Sequence, residues 1–401
     1  MPKKTIIIFI TVFILVGAIM LGIYFYNKSR GVAVTDPNAS IYQKFNPFGT
    51  SGKVPVTPSG DTGTETPVTG EVAKENSRLH KITDFAVAGA VFFEDTRDGT
   101  TVPSLRYVER ATGHVYQMYL DTKITGKISN STIPGVYETI FNSNANSVIY
   151  RYLSSDNKSI TSFLASLGGK SSVFLNPDIT AVSLSPDKTK FFSIIKNKNG
   201  VIGMIKPFDE TKTSQVFTSS FSEWLPQWVT NQYIYLTTKP SYLVDGSAFS
   251  LNITNGTLTK LFGSIPGLTT LANSNGNLVL YGASLNIGPK LNIFDIKNHT
   301  SIDLDIYGLP EKCVWSPDNI NVYCAIPNTI VGTQYPDYWY QGLISFEDRF
   351  IKINMQTKET TTFANSGNET SIDATSLFLN NKENILFFIN KKDSTLWSLD
   401  L

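Results

Sequence analysis

Cysteine is almost missing from this chain: there are two in 401 residues, Cys313 and Cys324. That excludes a disulfide-knit scaffold and leaves no C-x-x-C pair for a metal or redox centre. Histidine is nearly as scarce, with three residues, His80, His114 and His299, far apart and without ligand-like spacing. A histidine-based metal site or catalytic triad therefore has no signal here. Neither sign of charge dominates: 34 Lys and Arg stand against 33 Asp and Glu. Without a basic stripe to displace counterions from a phosphate backbone, nucleic acid is not an expected partner. A G-x-S-x-G elbow and a Walker A sequence are also missing. No cofactor, metal or catalytic residue is expected. "EDTRDG" (94–99) gathers carboxylates but lacks the alternation of a calcium loop, so it reads as a solvated turn.

One long apolar run is present. Residues 5–26, "TIIIFITVFILVGAIMLGIYFY", carry no charge and would make a helix of roughly 33 Å, enough to span a bilayer. Lys3 and Lys4 precede it and no A-x-A-like cleavage site follows, so it reads as an uncleaved anchor with its N-terminus cytoplasmic and the rest of the chain at the cell surface. From 27 to 77 the composition turns to Thr, Pro, Gly, Ser and Val, too poor in apolar surface to fold. This is a flexible linker with an r.m.s. reach on the order of 40 Å. The expected layout is thus 1–26 as tail and transmembrane helix, 27–77 as tether, and 78–401 as a folded head.

Within the head, short runs of Val, Ile, Phe, Tyr and Thr alternate with Asn, Gly, Asp and Pro, and no amphipathic helix interrupts them. The strand-turn-strand segments "VYETIFNSNANSVIYRYL", "ITAVSLSPDKTKFFSII", "WLPQWVTNQYIYLTT", "LTTLANSNGNLVLYGA", "EKCVWSPDNINVYCAI" and "ATSLFLNNKENILFFIN" recur. Their spacing of about 44 residues, with two further strands after most of them, is the arithmetic of a propeller blade. With "DFAVAGAVFFED" opening another unit, the head is expected to be an all-β, seven-bladed propeller of four-stranded antiparallel blades. The last unit ends one strand short at Leu401, so "RLHKIT" (78–83) is expected to pair with "STLWSLDL" (394–401) and close the ring.

The turns "LSPDK" (184–188) and "WSPDN" (315–319) resemble the S-P-D-G turn of TolB-type, WD-repeat-like propellers, although Lys188 and Asn319 stand where that pattern has Gly. The anchored layout is also similar to that of single-pass bacterial propeller proteins. The resemblance implies the fold and supplies no activity. In a hairpin centred between Asp318 and Asn319, Cys313 and Cys324 fall opposite one another, at a cross-strand separation that suits a disulfide; two buried thiols are the alternative.

Blade six departs from the period by inserting 327–348, "PNTIVGTQYPDYWYQGLISFED", which carries Tyr335, Asp337, Tyr338, Trp339 and Tyr340. Blade four has a smaller excursion at the same point, 239–247, with Tyr242 and Asp245. Both are expected on one face of the channel. Their rings would anchor a protein partner or stack on a glycan, or else pack privately over the blade. The head is therefore expected to be a non-catalytic binding module. The competing class is a carbohydrate-active enzyme using carboxylates near the channel, with Glu138, Glu223 and Glu311 as candidates.

Overall fold

The computed structural model describes residues 78–154, 158–169, 172–365 and 371–401. The expected anchor at 5–26 and linker at 27–77 lie outside them. Among the described residues, no helix is long and apolar enough to cross a membrane.

These residues form seven four-stranded antiparallel sheets, each built from four strands consecutive in the chain except the last. The first strands of the blades, in order, are Val87–Arg97, Val136–Phe141, Ile179–Leu184, Trp224–Trp228, Thr269–Ala272, Cys313–Trp315 and Ala374–Leu379. Each blade is covered on both faces by its neighbours, so the middle of its second strand is buried on both sides rather than alternating. Phe387 and Phe388, consecutive and fully buried, illustrate this. Phe387 packs with Val87 and Phe92 of blade one, and Phe388 with Ala325 and Phe350 of blade six.

The ring closes as the sequence predicts. Leu79–Lys81 pairs with Leu396–Asp400, with Leu79 opposite Leu399 and Lys81 opposite Trp397. The Thr83 hydroxyl accepts from the Leu396 amide at 3.0 Å, and the Arg78 carbonyl accepts from the Asp400 amide at 2.9 Å.

The S-P-D turns have a common geometry. The Ser185 and Ser316 hydroxyls accept from the amides of Lys190 and Asn321, and Lys188 and Asn319 take the left-handed φ values of 54° and 61°. Three further turns repeat this geometry with Asn as the first residue. Asn142, Asn273 and Asn380 accept from the amides five positions on, while Ala145, Gly276 and Glu383 take the positive φ. In the turn of blade six, Cys313 faces Cys324 across the hairpin, with the Cα atoms 4.1 Å apart and the sulfurs bonded.

Antiparallel order gives the propeller two unlike faces. The turns between first and second strands, and between third and fourth, lie on one, here the turn face. The loops between second and third strands, and the connections between blades, lie on the other, the loop face.

Candidate binding face

On the loop face, the blade-six insert is held by a buried charge cluster. Lys312 reaches it from the connection into blade six, Asp373 from the connection into blade seven, and Asp348 stands where the insert rejoins the sheet; none has accessible side-chain surface. The Lys312 ammonium donates to Asp373 at 2.5 Å, to Asp348 at 2.8 Å and to the Ala374 carbonyl at 2.8 Å, using all its protons. Asp373 also accepts from the Trp339 indole at 3.0 Å, and from the Ser345 hydroxyl and the Phe346 amide at 3.1 Å each. Asp348 accepts from the Ala374 amide through the same Oδ2 that meets Lys312, while its Oδ1 is buried without a partner. Burial, opposed by Lys312, pushes the Asp348 carboxyl up to about 6.

Around this cluster, Leu309, Tyr335, Trp339 and Phe346 form a small core, with Ile330 and Ile344 against it. The Phe346 ring stacks between those of Tyr335, at 5.8 Å, and Trp339, at 6.3 Å. The insert also reaches sideways. The Ser284 hydroxyl of blade five donates to the Tyr335 carbonyl. Asp337, opening the single-turn helix Asp337–Tyr340, accepts from the Tyr242 amide at 2.5 Å and the Ser241 hydroxyl at 3.1 Å in blade four. The two excursions thus meet on one face, spanning blades four to six.

The sequence candidates therefore separate. Tyr335 and Trp339 are buried, so of the two arrangements open to the insert these rings take the private one: each is committed to the insert's own core. Tyr242 and Tyr338 are half-buried, Asp337 serves the loop-to-loop contact, and Tyr340 and Asp245 are exposed. What the loops present instead is aliphatic. Leu243 and Val244 in blade four, Leu285 and Ile287 in blade five, and Val331 and Leu343 in blade six are all exposed, with Leu243 at 66% and Leu343 at 65%. Leu243 also holds a positive φ of 60°, strained for a branched side chain at a loop tip. Sequence reasoning passed over these residues because aliphatic side chains in a strand-rich chain read as core. It missed Lys312, Asp348 and Asp373 because charges carry no burial signal.

The three channel carboxylates are engaged separately. Glu138 pairs with Arg151 at 2.6 Å and Glu223 with Lys239 at 3.1 Å. Glu311 accepts from the Tyr340 hydroxyl and leaves Oε2 buried without a partner. Burial raises the Glu311 carboxyl, and the Tyr340 phenol is raised as well, because its hydroxyl end is desolvated against Glu311 although the residue as a whole stays exposed. Among the described residues, no three His, Cys, Asp or Glu side chains gather to hold a metal ion.

No protein-family model and no curated protein matches the chain. Solved structures do. An oligogalacturonate lyase in complex with manganese aligns over 79% of this chain and 98% of that one, at 10% identity and a TM-score of 0.53. Oligogalacturonate lyase from Vibrio parahaemolyticus aligns over 80% and 93%, at 9% identity and a TM-score of 0.56. TolB from Acinetobacter baumannii is also similar, over 78% and 64%, at 12% identity, though its TM-score of 0.41 carries no argument by itself. At such identities the likeness is one of fold: a seven-bladed β-propeller, the architecture that the S-P-D turns lead one to expect.

Proposed function

We propose that the chain is a non-catalytic, membrane-tethered propeller whose loop face docks a protein outside the cytoplasm. The observation that carries this reading is the run of exposed aliphatic side chains, Leu243, Val244, Leu285, Ile287, Val331 and Leu343, on three loops that brace one another across blades four to six. Exposed apolar side chains on loops that meet one another cost solubility and mark a candidate interaction site. Its character favours a protein over a sugar, because these side chains bring no hydrogen-bonding groups for sugar hydroxyls and two of the expected rings are buried. Anchoring the loops through Asp337 and the buried cluster lowers the entropy lost on docking.

The experiment is affinity capture with the full chain, comparing wild type with Leu243→Asp/Leu285→Asp. These side chains are exposed, so melting temperature should hold while capture falls by tenfold or more, the loss of about 1.4 kcal/mol or more of binding. Undiminished capture would refute the reading.

A second reading, carbohydrate chemistry at the channel, draws on the raised carboxyl of Glu311 beneath Tyr340 and on the name of the two lyases with this fold. It expects turnover that collapses in Glu311→Gln, whereas a binding module keeps its partner in that variant.

A further inference from the structure

On the opposite, turn face, the packing between blades four and five opens into a groove of about 480 Å³, within the range of small-molecule sites. It exists because blade four is polar where its neighbour is not. In blade five, Leu278, Leu280 and Ile293 pack into the core shared with blade six. The residues at the same places in blade four are Tyr233, Tyr235 and Ser250, by the register that sets Tyr233 opposite Asn252 and Leu278 opposite Asp295. The Tyr235 hydroxyl donates to the Gly276 carbonyl at 2.7 Å and ties the two walls together. A Cβ on Gly276 would come within 3.0 Å of that hydroxyl, so glycine keeps this wall open.

The lining contains no charged side chain. Leu261, Ile296 and the Tyr233 ring supply apolar surface; amides and hydroxyls supply the rest. Asn252, Asn255 and Asn275 spend their Oδ1 on backbone amides two residues on, which fixes each side chain and leaves its NH₂ to donate. The hydroxyls of Tyr233, Ser250 and Thr259 take no part in any hydrogen bond among the described residues.

We propose that this groove binds a neutral carbohydrate, a short run of uncharged pyranose units. Sugar hydroxyls need donors and acceptors side by side, which amides and hydroxyls provide, and the C–H face of the ring needs apolar or aromatic surface. A groove without ions offers nothing to pair with a carboxylate or phosphate, and its fixed asparagines are already ordered for binding. The site is separate from the loop face and stands or falls without it.

The test titrates the full chain with maltotriose, cellotriose and triacetylchitotriose, and with trigalacturonate as the acidic comparison, by saturation-transfer NMR and calorimetry. Asn255→Asp/Asn275→Asp keeps both turn acceptors and replaces only the free NH₂ groups; Tyr233→Phe removes one hydroxyl and keeps the ring. The expected result is binding of at least one neutral trisaccharide, insensitive to salt, weakened about tenfold or more by the double variant and less by Tyr233→Phe, with melting temperature unchanged. Lack of binding by all three neutral sugars, preference for the acidic one, or full affinity in the double variant would overturn the proposal.

Discussion

Asp348 is a carboxylate that the fold holds at a cost. Its Oδ1 is buried with no donor, a second carboxylate, Asp373, shares its cation, and its own titration lies near 6 rather than 3.8. The native state therefore holds this proton more tightly than the unfolded chain. The resulting stability is full below pH 3.8 and is lost as pH rises through about 6. Exposed aspartates held low by local hydrogen bonds, such as Asp187 and Asp318, act in the opposite sense at lower pH, so the difference between variants is the informative quantity. Asp348→Asn should be less stable than, or equal to, wild type near pH 4 and should gain on it by up to about 3 kcal/mol by pH 7. Thermal unfolding of both proteins across that range decides; parallel curves would mean that Asp348 does not titrate there. The same scale shows what the sequence concealed. Only two turns spell S-P-D, yet five share one geometry, because the Asn side-chain oxygen accepts the same amide as the Ser hydroxyl. The left-handed residue is tolerated as Lys, Ala, Asn or Glu where Gly would be easiest.

Among elements, the strand Leu79–Lys81 closes the ring with few residues. Only three residues pair, but they cover the outer edge of blade seven, and Leu79 packs on the core shared with blade six. A chain lacking 78–83 would also lose the bonds from Arg78 and Thr83, exposing an apolar edge. Such a deletion should lower the melting temperature by several degrees and raise self-association in light scattering. A melting curve superimposable on that of the intact head would show that closure contributes nothing. This strand, the seven blades and the shared face of the two excursions were legible because period-two patterning and the repeat length carry them. How the insert packs was not. Tyr335, Tyr338, Trp339 and Tyr340 look alike in sequence; Trp339 turns inward to Asp373, which reaches its indole from the connection into the next blade, and Tyr335 turns inward onto the Phe346 ring and the Val331 carbonyl.

At the scale of the whole molecule, the point where the chain enters the ring and the proposed docking surface fall on different faces. The chain enters the described residues at Arg78, beside Asp400 on the turn-face side of blade seven, while the aliphatic loops of blades four to six lie on the loop face. If 27–77 is the proposed tether, it joins the ring on the face opposite the aliphatic loops. The 22 uncharged residues from 5 to 26 form a helix of roughly 33 Å if inserted, and burying so many Ile, Leu, Val and Phe side chains makes such insertion effectively irreversible. The full chain should therefore sediment with membranes and resist alkaline carbonate, and deleting residues 2–30 should release a soluble propeller with the same melting temperature. Orientation is read in the same preparation. Protease added to intact cells should digest the head, and alkylation without reductant should leave Cys313 and Cys324 unmodified, as their bonded sulfurs require. Carbonate extraction of the full chain would sink the anchor; a protected head with two alkylated thiols would reverse its orientation.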